Sequence, residues 1–139
     1  LISDYGHNPT KAMAALKAAR EKYPNKKIWC VFQPHQYQRT HYLFKDFVKV
    51  FRQAPADKII ITDIYDVAGR EEKSVKNKVS AEKLVKAIKR KNVIYIPKEK
   101  IEEFLKQNMQ NRGVLIIMGA GDIYNLTLRL TVFEKKTRG

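Results

Sequence analysis

The sequence predicts a three-layer α/β fold, a mainly parallel sheet with helices on both faces and Rossmann-like in the loose sense. Two observations predict it. Short apolar runs alternate along the chain with longer stretches whose apolar residues recur at helical spacing. The runs are apolar at every position rather than at every second one, as expected of strands buried on both faces. Right-handed crossovers through the helices then make the strands parallel.

Residues 1–4, Leu-Ile-Ser-Asp, read as the end of a strand, and Leu1 as a boundary within a longer chain. Asn8-Pro9 starts a helix, because Asn is a strong N-cap and proline suits the first helical position. Met13, Leu16 and Ala19 form its inner face, and Tyr23-Pro24-Asn25 stops it. Ile28–Phe32 is a buried strand. Residues 42–53 carry a helical stripe of Leu43, Phe44, Phe47, Val48, Val50 and Phe51. Residues 58–62 form the next strand. Ser80 caps a helix with Leu84, Val85 and Ile88 inside. Residues 93–96 form a strand ended by Pro97, and Ile101, Phe104 and Leu105 mark a short helix. Residues 114–118 form the last strand. Gly119-Ala120-Gly121 then turns the chain into a final helix through Ile123, Leu126, Leu128 and Leu130.

Composition bounds the function. With 44% hydrophobic residues, the chain is not intrinsically disordered. Its 139 residues suit one domain, spanning 1–139, with one core. No apolar run approaches the roughly 20 residues that cross a bilayer, and no signal-peptide series opens the chain. The single cysteine, Cys30, excludes an intrachain disulfide and a cysteine-built zinc site. It lies in a predicted strand, so it reads as core rather than nucleophile. A reducing cytoplasm is the expected compartment.

Lys and Arg number 28 against 14 Asp and Glu, a net charge of +14. Such an excess suits a nucleic-acid surface, an anionic ligand or a solvated lysine-rich coat. The densest stretch is Lys83, Lys86, Lys89, Arg90 and Lys91. Acids interrupt the other runs, as in Arg70-Glu71-Glu72-Lys73, which favours the solvated face. There is no zinc-finger spacing, no basic-region heptad and no ribonucleoprotein aromatic motif. A basic nucleic-acid-binding module, or a scaffold domain without chemistry, is the alternative reading.

In an open parallel sheet, ligands bind beyond the carboxyl ends of the strands. That rule selects Gln33-Pro34-His35, Asp63-Ile64-Tyr65-Asp66 with Arg70 shortly after, and Gly119-Ala120-Gly121-Asp122. Asp4-Tyr5-Gly6-His7-Asn8-Pro9 adds a segment that leads into a helix N-terminus. Each residue alone also has a structural reading: Asp63 and Asp122 as caps, His35 as a satisfied loop histidine. Four segments at one edge make a ligand site. Sharper chemistries fail. Tyr124 stands where a dinucleotide fingerprint wants Gly or Ala. There is no phosphate loop, no Gly-x-Ser-x-Gly elbow, and no metal-ligand spacing among His7, His35 and His41.

The Asp4-Tyr5-Gly6-His7-Asn8-Pro9 segment resembles the motif that opens the C-terminal domain of the Mur ligases and of folylpolyglutamate synthase. Gln33-Pro34-His35-x-Tyr37-x-Arg39-Thr40, Asp63-Ile64-Tyr65 and residues 118–124, Met-Gly-Ala-Gly-Asp-Ile-Tyr, are similar to the alanine-adding branch of the Mur ligases, across essentially the whole chain.

That resemblance implies a three-domain, ATP-dependent ligase of peptidoglycan synthesis. The first domain binds UDP-N-acetylmuramate, the second carries the ATP phosphate loop, and the third corresponds to this chain. ATP phosphorylates the muramoyl carboxylate, and the amine of L-alanine attacks the acyl phosphate. Mg2+ assists, bound mainly by the central domain. By itself the chain is expected to be inactive and to hold no metal. The resemblance implies ATP contacts from Asp4, Tyr5, His7 and Asn8, with Asp4 accepting from the ribose hydroxyls. It implies L-alanine contacts from His35, Arg39, Arg70 and Asp122. A guanidinium fork at Arg39 fits either a carboxylate or a phosphate. Ser3, Asn8, Lys11 and Gln36 stand where that branch usually carries Asp, His, Glu and Arg.

Overall fold

A computed structural model describes residues 2–4, 8–66, 76, 78–109, 113–119, 121–123, 125 and 126. Along the chain these form β1 (Ile2–Asp4), α1 (Pro9–Lys22), β2 (Ile28–Phe32), α2 (Tyr37–Tyr42) and α3 (Phe44–Gln53). Then come β3 (Lys58–Ile61), α4 (Ala81–Ile88), β4 (Val93–Tyr95), α5 (Lys98–Asn108) and β5 (Val114–Met118).

The sheet has five strands in the order β1-β5-β2-β3-β4, and every pairing is parallel. Cys30 at the centre of β2 is opposite Ile59 on β3 and Ile116 on β5. Alternate residues of each strand serve opposite faces. Ile28, Cys30 and Phe32 join Ile59, Ile61, Ile116 and Met118 in one cluster, covered by α1, α3 and α4. Val31, Ile60, Leu115 and Ile117 join a second, covered by α5 and by Ile123 and Leu126. The three-layer expectation is thus met, and Cys30 is fully buried. Phe32 anchors the larger cluster, its ring 5.3 Å from that of Phe47 and 4.9 Å from that of Phe51.

Local chemistry sets the helix starts. The Asn8 side chain accepts from Lys11 N at 2.8 Å, with Pro9 as the first helical residue. Ser80 caps α4 in the same way, accepting from Lys83 N at 3.1 Å. Helix ends are held by two arginines. Arg52 of α3 donates to Ala87 O and Ile88 O at the end of α4, at 2.8 and 3.0 Å. Arg90 answers from beyond α4, donating to Phe51 O, Ala54 O and Ala56 O at 2.8–3.0 Å. These guanidinium groups satisfy carbonyls that a helix terminus leaves open and sit at its negative end.

Two expectations need correction. The helix expected over 42–53 begins two residues later, at Phe44, because Leu43 leaves the helical region (φ −96°, ψ 13°), and a separate helix, α2, precedes it. No apolar stripe announces α2, whose one buried residue is Thr40. Helix α5 is found around the expected Ile101, Phe104 and Leu105, and Pro97 supplies its extended cap. Strands β3 and β4 each end one residue earlier than expected. Of the final helix, Asn125 and Leu126 are helical, and much of the remainder lies outside the described residues.

Candidate functional site

The strand order marks the carboxyl ends of β2 and β5 as the edges of a crevice. After β2 the chain proceeds to β3 and β4 on one side, whereas β5 returns to the other side of β2. The connections leaving β2 and β5 therefore diverge to opposite faces, and ligands of open α/β sheets bind at the carboxyl ends of such a strand pair. Gln33 follows β2 there and is buried. Its backbone N donates to Met118 O at 3.0 Å. Its side chain spans the crevice, with Nε2 donating to Asp122 Oδ1 at 2.9 Å and Oε1 accepting from Ile123 N at 3.2 Å.

Asp122 is engaged on both oxygens, because Lys98 at the start of α5 donates to Oδ2. Burial pushes the Asp122 pKa up, but hydrogen bonds from Lys98 and Gln33 outweigh it and hold the carboxyl below its ordinary range. The same bond, against the effect of burial, holds the Lys98 amine above its ordinary value. Beside this pair, Asp63 beyond β3 accepts from the Tyr95 hydroxyl and, at 3.0 Å, from Lys98 N. Burial, then the bond to Asp63, pushes the Tyr95 phenol well up.

His35 and Tyr65 extend the sheet by one rung. Tyr65 N donates to Pro34 O at 2.8 Å, and Gln36 N donates to Tyr65 O at 2.7 Å. The two rings stack with centroids 5.4 Å apart and planes at 27°. Gln36 takes the unusual conformation φ 68°, ψ 137°, a region that costs a non-glycine residue of order 1–3 kcal/mol. Its carbonyl accepts from Thr40 N at 3.1 Å and Thr40 Oγ1 at 2.7 Å, which fixes the entry into α2.

His35 and Asp122 both lie at the crevice edge, tied to it through Tyr65 and Gln33. Arg39 lies in the first turn of α2 and lines an open cleft of about 810 Å³ with Gln36, His41 and Tyr42. Asp4 ends β1 opposite Met118, so its backbone is at the same edge. Its side chain, together with Tyr5, His7 and Arg70, lies outside the described residues. Asn8 Oδ1 is committed to capping α1. It also lines a cleft of about 530 Å³ with Lys11 and Lys49.

The edge rule includes Gln33 and Tyr65 in its segments without giving their contacts, and it omits Lys98. Lys98 follows the carboxyl end of β4, so the edge rule applied to that strand would have found it. At the opposite, amino-terminal edge, a cleft of about 550 Å³ is lined by Trp29, Lys58 and Asp57. Lys58 lies over the Trp29 and Phe104 rings, and Asp57 holds Ile28 N and Arg20 at 2.7 and 2.9 Å. Those contacts are structural. Burial pushes the Asp57 pKa up, but bonds from Ile28 N and Arg20 bring it below the ordinary value.

The profile of the Mur ligase, glutamate ligase domain matches residues 1–121. The chain belongs to the Mur ligase family. This Mur ligase domain is 41% identical over 128 residues to a UDP-N-acetylmuramate–L-alanine ligase from Acetivibrio thermocellus, covering 91% of the chain and 26% of that relative. Ligases of the same name from Alkaliphilus metalliredigens and Aquifex aeolicus are 42% and 43% identical, over 97% and 88% of the chain. The chain spans about a quarter of the length of these curated relatives (28% and 25% for the latter two).

Solved structures agree on the fold. A murein peptide ligase from Psychrobacter arcticus superposes with a TM-score of 0.57 at 16% identity, covering 93% of the chain and 26% of that structure. A domain from Haemophilus ducreyi, named for a UDP-N-acetylmuramate:L-alanyl-gamma-D-glutamyl-diaminopimelate ligase, gives the same TM-score at 17% identity, over 95% of the chain and 88% of the domain. The nucleic-acid alternative gains nothing from these relatives. Within its basic stretch, Arg90 is spent on three backbone carbonyls. No described helix is long and apolar enough to cross a membrane.

Proposed function

We propose that this Mur ligase domain is the C-terminal domain of an ATP-dependent ligase that joins L-alanine to UDP-N-acetylmuramate in peptidoglycan synthesis. The observation that carries the reading is the meeting of the Gln33-Pro34-His35 and Gly119–Asp122 motif segments across the β2–β5 crevice, through the Gln33–Asp122 hydrogen bond. The alanine-adding motifs thus form one polar edge on an otherwise apolar sheet.

In this reading, Asp4, Tyr5, His7 and Asn8 face the nucleotide, with Asp4 accepting from the ribose hydroxyls. His35, Arg39, Arg70 and Asp122 face L-alanine. The Arg39 guanidinium takes the alanine carboxylate as a bidentate partner. Its exposure on the short α2 leaves it available until the other domains close over it. Asp122 is already neutralised by Lys98. An alanine ammonium there meets a carboxylate with a cation in place, so Asp122 contributes less to binding than Arg39. Activated acyl transfer needs the amine close to the acyl phosphate and out of water, and this is what domain closure supplies.

Among the described residues no group of three or more His, Cys, Asp and Glu is placed to hold a metal ion. The reading assigns the Mg2+ that accompanies ATP to the central domain, and the cytoplasm as the compartment. The test is ADP release by the full-length protein that carries this chain. Release that requires both UDP-N-acetylmuramate and L-alanine is expected. Release with a different amino acid alone, or none at all, overturns the reading.

A further inference from the structure

We propose that Tyr65 is a positioning residue of the amino-acid site, and that position 121 is glycine because of it. The inference rests on the reading of His35 as part of that site. Tyr65 sits where three segments meet. Its backbone is bonded on both sides to the segment after β2, through Pro34 O at 2.8 Å and Gln36 N at 2.7 Å. Its ring stacks on His35 at 5.4 Å. The same ring lies against the backbone of Gly121, the residue before Asp122. A Cβ at Gly121 would lie 2.4 Å from Tyr65 Cγ and within 2.8 Å of both Cδ atoms. Side chains do not approach that closely, and the obstacle is a rigid ring held by its own backbone bonds.

Three consequences follow. The orientation of the His35 ring is set by an aromatic wall rather than by its loop alone. The unusual backbone of Gln36 is held from one side by Tyr65 O and from the other by Thr40. The His35 and Asp122 segments keep their spacing through the Tyr65 ring, in addition to the Gln33 bridge. No catalytic role is needed for the phenol oxygen, since the ring makes every one of these side-chain contacts. Tyr65→Phe should therefore be silent where Tyr65→Leu is not.

The first readout uses the chain by itself. Nuclear magnetic resonance of the His35 ring protons reports the stack through the aromatic ring current. Wild type and Tyr65→Phe should share one set of His35 shifts. Tyr65→Leu should lose the ring-current displacement, and Gly121→Ala should alter it by pushing the ring aside. The second readout uses the full-length ligase. Tyr65→Leu and Gly121→Ala should each raise KM for the amino acid about tenfold or more, the scale of misplacing a bound reactant, with KM for ATP unchanged. A merely structural role would not separate the two KM values.

Unchanged His35 shifts in Tyr65→Leu overturn the stack. Changed shifts with an unchanged amino-acid KM overturn the positioning role. A full-length protein that ligates no amino acid overturns the ligase reading and, with it, the assignment of Tyr65 to an amino-acid site. The nuclear magnetic resonance result would still decide the stack on its own.

Discussion

Lys98, the first residue of α5, pairs its ammonium with the carboxylate of Asp122, 24 residues further along the chain. The pair ties the second helical layer to the turn after β5, at the mouth of the crevice. It also makes stability depend on pH at both ends of the range. The Lys98 amine is raised above its ordinary 10.5, so its contribution is full below that value and is lost as pH rises through the folded value. The Asp122 carboxyl is lowered below its ordinary 3.8, so its contribution is full above that value and is lost as pH falls through the folded one. Both side chains are about a third exposed, so solvent limits the effect. Lys98→Met should cost up to about 1 kcal/mol at neutral pH and abolish the alkaline part of the dependence. Urea unfolding across a pH series measures both, and an unaltered alkaline limb would remove the pair from the account.

Gln36 holds its positive φ without being glycine. Gln36→Gly removes a side chain that disfavours this conformation, but it adds conformational entropy to the unfolded chain, which opposes the gain. The release of strain is the larger effect, so the variant should gain about 1 kcal/mol of stability. Chemical denaturation decides the sign. A loss of stability would mean that the Gln36 side chain holds the turn.

Arg90 looks like one more surface cation in a lysine-rich stretch, yet it serves three carbonyls at the end of α3 and beyond. Arg90→Ala should cost about 2 kcal/mol, because charge-assisted bonds are lost and half-buried acceptors are left open. Arg90→Lys should recover only part of this, since an ammonium lacks the planar fork. Lys86→Ala, on the exposed face of α4 in the same basic stretch, should change stability by less than about 0.5 kcal/mol. Thermal unfolding of the three variants separates a structural clamp from generic charge.

What the sequence reveals and what it hides divide along physical lines. Strands β2, β3 and β5 are legible because burial on both faces leaves no polar position in Ile59-Ile60-Ile61 or Val114–Met118. Asn8 and Ser80 are legible because capping is decided within three residues. Helix α2 is not, because Tyr37–Tyr42 has no apolar stripe and its entry is set from outside by the bridge to Tyr65. The edge rule points to His35 and Asp122 without any knowledge of strand order. It does not give their partners. Gln33 meets Asp122 across 89 residues only because β5 lies beside β2. Gly121 reads as part of a turn, whereas in the fold it is the seat of the Tyr65 ring.

The central claim is that this edge receives the amino acid of a ligase, and Arg39 is the residue on which it rests most directly. The measurement is steady-state kinetics of the full-length protein with Arg39→Ala, varying L-alanine at saturating ATP and UDP-N-acetylmuramate. Loss of a bidentate charged contact predicts a fall in kcat/KM for L-alanine of about tenfold or more, with the variant folded and KM for ATP unchanged. An unchanged kcat/KM for L-alanine would contradict the account.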